Sequence, residues 1–282
     1  MPRDARAQRA SLDARLVNRA AETGQDVGRL RRRLVFQRVL ARLALDDGWV
    51  LKGGFALEVR LPEVARATRD LDLAAPAQIS VDQLQDVLDE ALDREVDGDG
   101  FSFRVSTGRP IAPDQAGATA WGLSVNAYLA GRLFQSVHVD VSARSDEVID
   151  GVEWLTVPPG LDGVGLNPAR VQAVDVAQHA AEKFHALTRR YAGNRPSSRV
   201  KDLVDLVLLI EAGLLPDPRL AARLRHVHAL RDGAAPPRSI PEAPAAWRSE
   251  YARLVTDLGL TTPDVDQAMA LVRNIYPEET NR

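Results

Sequence analysis

The chain has 282 residues, a formal net charge of −3 and 45% hydrophobic residues, which is typical of a globular protein with one large domain or two modest ones. It has no cysteine, which excludes disulfides, thiolate zinc sites and cysteine nucleophiles. No apolar run approaches the roughly 18 residues of a membrane span, and residues 1–12 lack the apolar stretch of a secretory signal. We therefore expect a cytoplasmic protein without membrane contact, in which any nucleic-acid binding uses local basic patches.

Two helices are predicted at the start of the chain. The first covers residues 11–21, with Ser11 as its N-cap and Gly24 as its stop. Asp26 caps a second, longer helix that ends at Gly48. Several arginines on this second helix form either a solvated face or a contact for the phosphates of a polyanion: Arg29, Arg31, Arg32, Arg33, Arg38 and Arg42.

A strand, a glycine turn and a helix follow in the segment VLKGGFALEVRL. Val50 and Leu51 are predicted as a short strand, Gly53 and Gly54 as a tight turn, and the residues after them as a helix. In such a unit, the backbone N–H groups at the start of the helix can meet a phosphate. Lys52, one of only three lysines in this arginine-rich chain, lies directly before the turn.

Three polar side chains share one face of the next predicted strand. Thr68, Asp70 and Asp72 alternate with apolar residues, so they project together while Leu71 and Leu73 point into the core. Neighbouring carboxylates repel each other, and a cation between them relieves the repulsion. Oxygen ligands favour Mg²⁺, and a metal held in this way suits phosphoryl or nucleotidyl transfer. The alternative is an exposed edge strand with two solvated aspartates.

An antiparallel hairpin supplies a third carboxylate. The alternating patterns of residues 101–105, 121–129 and 134–143 predict strands, and Asp140 lies on the polar face of the last one. Asp140 either completes a metal site or is an ordinary exposed aspartate. Residues 145–173 are predicted to be irregular.

Two predicted helices in the second half carry further candidates. Residues 174–191 hold Lys183, which either reaches a triphosphate or is a surface lysine whose stem covers apolar area. The nearly apolar helix 200–212 holds Asp202 and Asp205, whose carboxylates need partners if they are buried. They either serve the chemistry or form a structural ion pair between helices.

The order of these motifs resembles a known family. VLKGGFALEVR followed by RATRDLDL is similar to the signature of the DNA-polymerase-β-like nucleotidyltransferases, and more narrowly to the AbiEii toxins of toxin–antitoxin pairs. The segments AAEKFHAL and SRVKDLVDL resemble the same family, and the resemblance covers residues 11 to about 212. The fold implied is α+β: a mixed sheet with flanking helices in residues 1–165 and a helical domain in residues 166–282.

The resemblance implies a role for each matching residue. Gly53 and Gly54 match the phosphate-binding turn, although superfamily members often have Gly-Ser there. Residues 66–72 match the family's Arg-x-Thr-x-Asp-x-Asp element. The match implies that Arg66 and Thr68 bind nucleotide and that Asp70 and Asp72 are catalytic metal ligands. The remaining implied site residues are Lys52 in nucleotide binding, Asp140 in metal binding, and Lys183, Asp202 and Asp205 in catalysis.

The implied activity is a Mg²⁺-dependent nucleotidyltransferase, the toxin of a type IV-like toxin–antitoxin pair. It would transfer NMP from an NTP to an RNA acceptor, the tRNA 3′ end in the first place, and so block translation. Asp140, Asp202 and Asp205 are open candidates for the general base. Arginines at 189, 190, 195 and 199 would seat the acceptor's phosphates. The alternatives are transfer to a protein or small molecule, or an inert nucleotidyltransferase fold that only binds; a cognate antitoxin protein is the implied partner.

Overall fold

The structure is a computed structural model that describes residues 5–76, 83–106, 108–111, 120–142, 145–148, 150–189 and 199–277. Within these ranges, none of the helices has both the length and the apolar character needed to cross a bilayer. The described strands form one mixed sheet, and helices lie against it and beyond it.

The strands of the sheet in chain order are β1 (Val50–Lys52), β2 (Asp70–Ala74), β3 (Phe101–Val105), β4 (Arg109–Ile111), β5 (Ala120–Leu129), β6 (Arg132–Ser142), β7 (Val152–Val157) and β8 (Ala169–Val174). The described helices are α1 (Ala5–Thr23), α2 (Val27–Leu43), α3 (Gly53–Arg60), α4 (Leu84–Asp93), α5 (Ser145–Val148), α6 (Val176–Thr188), α7 (Val200–Glu211), α8 (Leu220–Asp232), α9 (Trp247–Leu258) and α10 (Val265–Ile275).

The strands are hydrogen-bonded in the order β3-β5-β6-β2-β1-β8-β7, and β4 adds to β5. The hairpin β5–β6 is antiparallel, as its alternation predicts. β2 runs parallel to β6, and β1 runs parallel to β8, which makes the sheet mixed. The α+β fold is therefore confirmed. β2 lies between β1 and β6, so the interpretation of Asp70 and Asp72 as residues of an exposed edge strand is wrong.

One row of residues crosses the middle of the sheet. Lys52 on β1 is opposite Asp72 on β2, Asp72 is opposite Asp140 on β6, and Asp140 is opposite Gly122 on β5. Directly opposed residues in a sheet project from the same face, with neighbouring strands about 4.8 Å apart. We call Lys52, Asp72, Asp140 and Gly122 the central row.

Two apolar clusters hold the chain together. One packs α1, α2 and α4 on a face of the sheet, through residues such as Phe36, Leu71 and Val139. The other joins α6 to α10, with Phe184 and Tyr251 fully buried, and reaches back to Leu57 of α3. The boundary expected at residue 165 stays a prediction, and the strand β8, which belongs to the sheet, lies beyond it.

Several predicted element boundaries are wrong. α1 begins by Ala5, so Ser11 is an interior helical residue and not its N-cap. Asp26 does cap α2, by accepting from Arg29 N–H, but that helix ends at Leu43 and not at Gly48. Thr262 followed by Pro263 predicts the start of the last helix, but α10 is capped by Asp264, which accepts from two backbone N–H groups.

Residues 145–173 are not irregular. They contain α5, β7 and β8, and the last two pair with each other in antiparallel register. Trp154 is exposed on β7, and the Arg170 guanidinium of β8 lies 4.9 Å from the centre of its ring. The apolar period of residues 80–92 predicts a helix that starts at Ser80. Ser80 and the arginines at 190 and 195 lie outside the described residues.

The arginines of α2 do not form one solvated face. Arg38 and Arg42 are fully buried, where Arg38 bonds Asp97 at 2.7 Å and Arg42 bonds both oxygens of Asp99 at 2.8 and 2.9 Å. Both are therefore core ion pairs and cannot meet a polyanion. Arg29 and Arg32 do line an open cleft, which is described next.

Candidate active site

A large cleft opens where the middle of the sheet meets the helices that follow it. Its volume is about 1120 Å³, and polar and charged residues dominate its walls. The cleft brings together most of the site residues predicted from the sequence, which are Lys52, Gly53, Gly54, Arg66, Thr68, Asp70, Asp72, Asp140, Lys183 and Asp202. Asp205 is fully buried behind the wall.

The central row forms the floor of this cleft. Lys52, Asp72 and Asp140 line it, and β-sheet register brings them there from three neighbouring strands. Gly122 leaves room at the end of the row, since a Cβ there would lie 2.9 Å from His138 Nε2 and 3.3 Å from Asp140 Oδ1. Backbone pairing therefore sets the positions of a cation and two carboxylates.

Gly53 is required by its conformation and by its neighbour. Its φ is +61°, in the left-handed region that suits glycine. A Cβ at this position would lie only 1.9 Å from Asp72 Oδ2. The carboxylate of Asp72 therefore packs directly against the backbone at the first residue of α3.

The second glycine faces the residues that precede β2. A Cβ on Gly54 would lie 2.8 Å from Thr68 Oγ1 and 3.6 Å from an Arg66 guanidinium nitrogen. Thr68 lies in the loop before β2 and not on the strand itself; its N–H donates to Glu58 at 3.3 Å and its hydroxyl to the Asp70 carbonyl at 3.3 Å. This start of a helix, free of side chains, is suited to accept a phosphate.

The carboxylates on the floor carry unfavourable charge in the absence of a cation. Burial, followed by the charge of Asp140, raises the pKa of Asp72 to about 6. Burial also raises the pKa of Asp140, with Asp70 acting in the same direction and His138 against it. Hard carboxylate oxygens that destabilise one another fit a divalent cation such as Mg²⁺.

The three carboxylates do not all converge on one point. Among the described residues, the group of three candidate ligands whose atoms all lie within 4.8 Å is a different one, and Asp70, Asp72 and Asp140 do not meet that distance. Asp140 Oδ1 lies 3.1 Å from His138 Nε2 on its own strand. Asp72 therefore lies between Asp70 on its own strand and Asp140 on the neighbouring one, and the charge of Asp140 acts on it more strongly than that of Asp70.

Lys183 is bound by two carboxylates of the next helix. Its Nζ lies 2.8 Å from Asp202 Oδ1 and 2.8 Å from Asp205 Oδ2, so α6 and α7 are joined by a buried ion cluster. Burial would lower the pKa of Lys183, but Asp202 and Asp205 raise it above its ordinary value, which keeps the amine charged. Only 9% of Lys183 is exposed, and the interpretation as a surface lysine is wrong.

Asp205 bonds to Arg66 as well. The guanidinium meets both its oxygens at 2.9 Å. Burial alone would raise the pKa of Asp205, but the charges of Lys183 and Arg66 lower this pKa to about 2. Lys201, which lies four residues before Asp205 and is spaced to pair with it, is exposed. Asp205 instead joins α6, α7 and the loop before β2.

Lys52 belongs to a second ion cluster. Its Nζ lies 3.1 Å from Glu182 and 3.5 Å from Glu147. Arg231 of α8 bonds both oxygens of Glu147, one of them at 2.8 Å, and lies 3.7 Å from Glu182. The central row is thereby attached to α5, α6 and α8.

Sequence reasoning missed several residues of the cleft. His138, which does not line the cleft but lies 3.1 Å from Asp140, could have been found, since it is two residues before Asp140 on the same strand face. Glu182 precedes Lys183 and was overlooked beside it, whereas Arg231 lies in a helix that carries no recognisable motif. Basic residues from distant segments surround the opening: Arg29, Arg32, Arg69, Arg189, Arg199, Lys201 and Arg253.

A mixed sheet with a glycine turn beside paired aspartates is the arrangement that the resemblance to nucleotidyltransferases implies. Among solved structures, it resembles MenT4, a nucleotidyltransferase toxin from Mycobacterium tuberculosis H37Rv, with a TM-score of 0.57 and 22% identity over 93% of this chain and 87% of that one. A structure from H. pylori overlaps less well, with a TM-score of 0.43 and 14% identity over 86% of this chain and 91% of that one. At this level of identity the likeness to MenT4 shows a shared fold.

The family follows from the sequence match. The model of the nucleotidyl transferase AbiEii toxin of type IV toxin–antitoxin systems matches residues 34–271, so the chain belongs to this family. The match extends past residue 212, into the proline- and alanine-rich region that resembles nothing by inspection. None of the curated proteins compared with the chain matches it.

Proposed function

We propose that this toxin transfers NMP from an NTP to an RNA hydroxyl, the tRNA 3′ end in the first place, and thereby blocks translation. The observation that carries the proposal is the central row, which sets Lys52, Asp72 and Asp140 in one cleft beside the Gly53 turn. The triphosphate would lie at the start of α3, where neither glycine has a side chain to obstruct it.

Asp70 and Asp72 are the proposed Mg²⁺ ligands. Both line the cleft, and Asp72 touches the turn that would receive the phosphates. When bound there, Mg²⁺ would neutralise the charge that builds up on the triphosphate. Lys183 adds a fixed positive charge from the opposite wall, where Asp202 and Asp205 hold its amine.

The transfer needs a base for the acceptor hydroxyl. The hydroxyl oxygen bonds to the α-phosphorus, the bond from that phosphorus to the bridging oxygen breaks, and pyrophosphate leaves while the base takes the hydroxyl proton. Asp140 is the favoured base among the three candidates because it lines the cleft on the central row. Asp205 is enclosed by Arg66 and Lys183, and Asp202 is bonded to Lys183, so both are better suited to positioning.

An RNA acceptor suits the opening of the cleft. Arg189, Arg199 and Lys201 line it on one side and Arg253 on another, although the whole chain is slightly acidic. Such a local basic surface is what phosphate contacts require. A cytoplasmic location, where NTPs and tRNA occur together, and a cognate antitoxin protein complete the proposal.

The test is incubation of the purified chain with each labelled NTP and total RNA, with Mg²⁺ and with chelator. We expect label in RNA of tRNA size, with Mg²⁺ only, and none with Asp70→Asn or Asp72→Asn. If the label appears on a protein or on a small molecule instead, that molecule is the acceptor and the RNA assignment is wrong. Nucleotide binding without transfer to any acceptor would leave a binding module.

A further inference from the structure

A cluster of two histidines and one aspartate lies beside the cleft, whose lining includes His185. His185 of α6 and His228 and Asp232 of α8 have candidate ligand atoms that all lie within 4.8 Å of one another. His228 and Asp232 are spaced i, i+4 on one helix, so their side chains project from the same face, and His185 meets them from the facing helix. The central row does not include any of these residues.

Two distances in this cluster are close to those between the ligands of a tetrahedral metal site. His185 Nε2 lies 2.9 Å from Asp232 Oδ2, and His228 Nδ1 lies 3.3 Å from the same oxygen. Around a Zn²⁺ ion with ligands at 2.0–2.1 Å, tetrahedral geometry puts neighbouring ligand atoms about 3.3 Å apart. A small displacement of side chains would therefore admit an ion.

The surroundings also favour neutral imidazole ligands. Burial, with the adjacent charge of Arg231, lowers the pKa of His185 to about 4, and burial lowers the pKa of His228. Both rings therefore keep a lone pair near neutral pH. The two rings are almost fully buried, whereas the Asp232 side chain is 21% exposed and leaves a side open for water as a fourth ligand.

Arg231 does not leave the cluster with excess positive charge. Its guanidinium is bonded to Glu147 and lies 3.7 Å from Glu182, while Lys52 also contacts these two glutamates. The two cations and two glutamates cancel, so Asp232 adds one net negative charge beside the neutral rings. This charge balance accepts a divalent cation.

We propose that His185, His228 and Asp232 bind one Zn²⁺ ion with water as the fourth ligand, and that this ion clamps α6 to α8. Two nitrogen ligands and one carboxylate suit Zn²⁺ better than Mg²⁺, which prefers oxygen ligands. Because α6 also carries Lys183, the clamp would fix one wall of the cleft. The proposed site does not depend on the proposed reaction.

The test uses the metal itself as the probe. The full chain, purified with chelator and kept in excess Mg²⁺ to occupy oxygen-ligand sites, is titrated with Co²⁺ and then with Zn²⁺. We expect the visible absorption of tetrahedral cobalt at one equivalent, its loss when Zn²⁺ displaces Co²⁺, and a higher melting temperature with Zn²⁺.

Four variants locate the ion. His228→Gln and Asp232→Asn, each checked for folding by near-ultraviolet circular dichroism, should lose the cobalt absorption and bind Zn²⁺ more than about 100-fold more weakly. His226→Gln on the same helix and Asp72→Asn on the sheet should bind like the parent. Should the parent fail to bind, should the signal survive in both cluster variants, or should Asp72→Asn lose it, the Zn²⁺ site is refuted and the cluster is a hydrogen-bonded link between helices.

Discussion

At the residue scale, adding a single methyl group at Gly53 should strongly reduce nucleotidyl transfer. A methyl group there meets the Asp72 carboxylate at 1.9 Å and also strains a backbone with φ of +61°. We expect Gly53→Ala to reduce nucleotidyl transfer at least about 100-fold, because reacting groups that are displaced by about 1 Å lose that much. Steady-state transfer with a labelled NTP measures this.

Gly24 supplies the matched control. Its φ of +68° is similar, but a Cβ there would have nothing within 4 Å. Gly24→Ala should therefore show the backbone strain alone, about 1 kcal/mol of unfolding free energy, with normal transfer. Equal activity of the two variants would mean that contact between Gly53 and Asp72 does not matter for the reaction.

Asp72 should make the metal-free protein less stable as the pH rises. Its pKa is about 6 in the folded chain, because of burial and the charge of Asp140, and lower in the unfolded chain, so the folded state holds the proton longer. Ionisation of Asp72 therefore costs stability between about pH 4 and about pH 6, and the cost is fully present above that range.

The corresponding variant is Asp72→Asn. In the presence of chelator, it should raise the free energy of unfolding by roughly 1–2 kcal/mol at about pH 7.5 and by much less at about pH 4.5. Urea unfolding at both pH values checks this. A variant that is less stable than the parent at the higher pH would show that the carboxylate is a structural partner instead of a metal ligand.

At the element scale, α7 carries two aspartates three residues apart that should respond differently. Asp205 is fully buried between Arg66 and Lys183, so Asp205→Asn leaves two buried cations short of a counter-charge. We expect it to lose about 3 kcal/mol of unfolding free energy. Thermal and urea unfolding measure the loss.

Asp202→Asn is the comparison within the same helix. Asp202 lines the cleft, and Lys183 keeps its second carboxylate in this variant, so the fold should lose about 1 kcal/mol. In Asp202→Asn the loss of transfer rate, expressed as an activation free energy, should exceed this loss of unfolding free energy. The opposite order, with Asp202→Asn the less stable of the two, would contradict the assignment of Asp205 to positioning.

Elements with a regular apolar period could be predicted from the sequence. The alternation in β5 and β6 and the apolar face of α7 identify them directly. β8 also has such a period, since buried Ala169, Val171 and Ala173 alternate with Arg170 and Gln172, whereas β7 is mostly exposed and lacks a clear period. Pairing with neighbours, which no local pattern encodes, stabilises these strands.

At the scale of the whole molecule, the slightly acidic chain should still bind RNA through the opening of its cleft. Arg199 lies there with its side chain 59% exposed. RNA affinity should fall with salt, and Arg199→Ala should reduce the slope of log affinity against log salt by about 0.7, the value for one single-strand phosphate contact. Filter binding of tRNA at several salt concentrations measures the slope.

Arg248 provides the control for this measurement. It is 62% exposed and paired with Asp266, and it is not among the residues that line the cleft. Arg248→Ala should leave the slope unchanged, because the slope depends on the number of phosphate contacts and Arg248 would make none. An unchanged slope in Arg199→Ala as well would favour an acceptor other than RNA.

Motifs predicted which residues meet in the site, but not how they are held. The glycine turn and the Asp70–Asp72 pair belong to one short strand–turn–helix–strand segment, so their meeting could be predicted. The contacts of Lys52 with Glu147 and of Arg66 with Asp205 join residues 95 and 139 positions apart. Such contacts depend on the packing of the helices against the sheet, and no motif in one sequence specifies it.

The central row limits which insertions and deletions the sheet can tolerate during evolution. Lys52, Asp72 and Asp140 occupy equivalent steps on three strands, so shifting any one strand by a single residue would turn its side chain to the opposite face. Insertions and deletions within these strands are therefore forbidden, whereas the connections between them are free to change length. Related proteins can therefore differ at most positions and still keep this row, provided that the three strands keep their register.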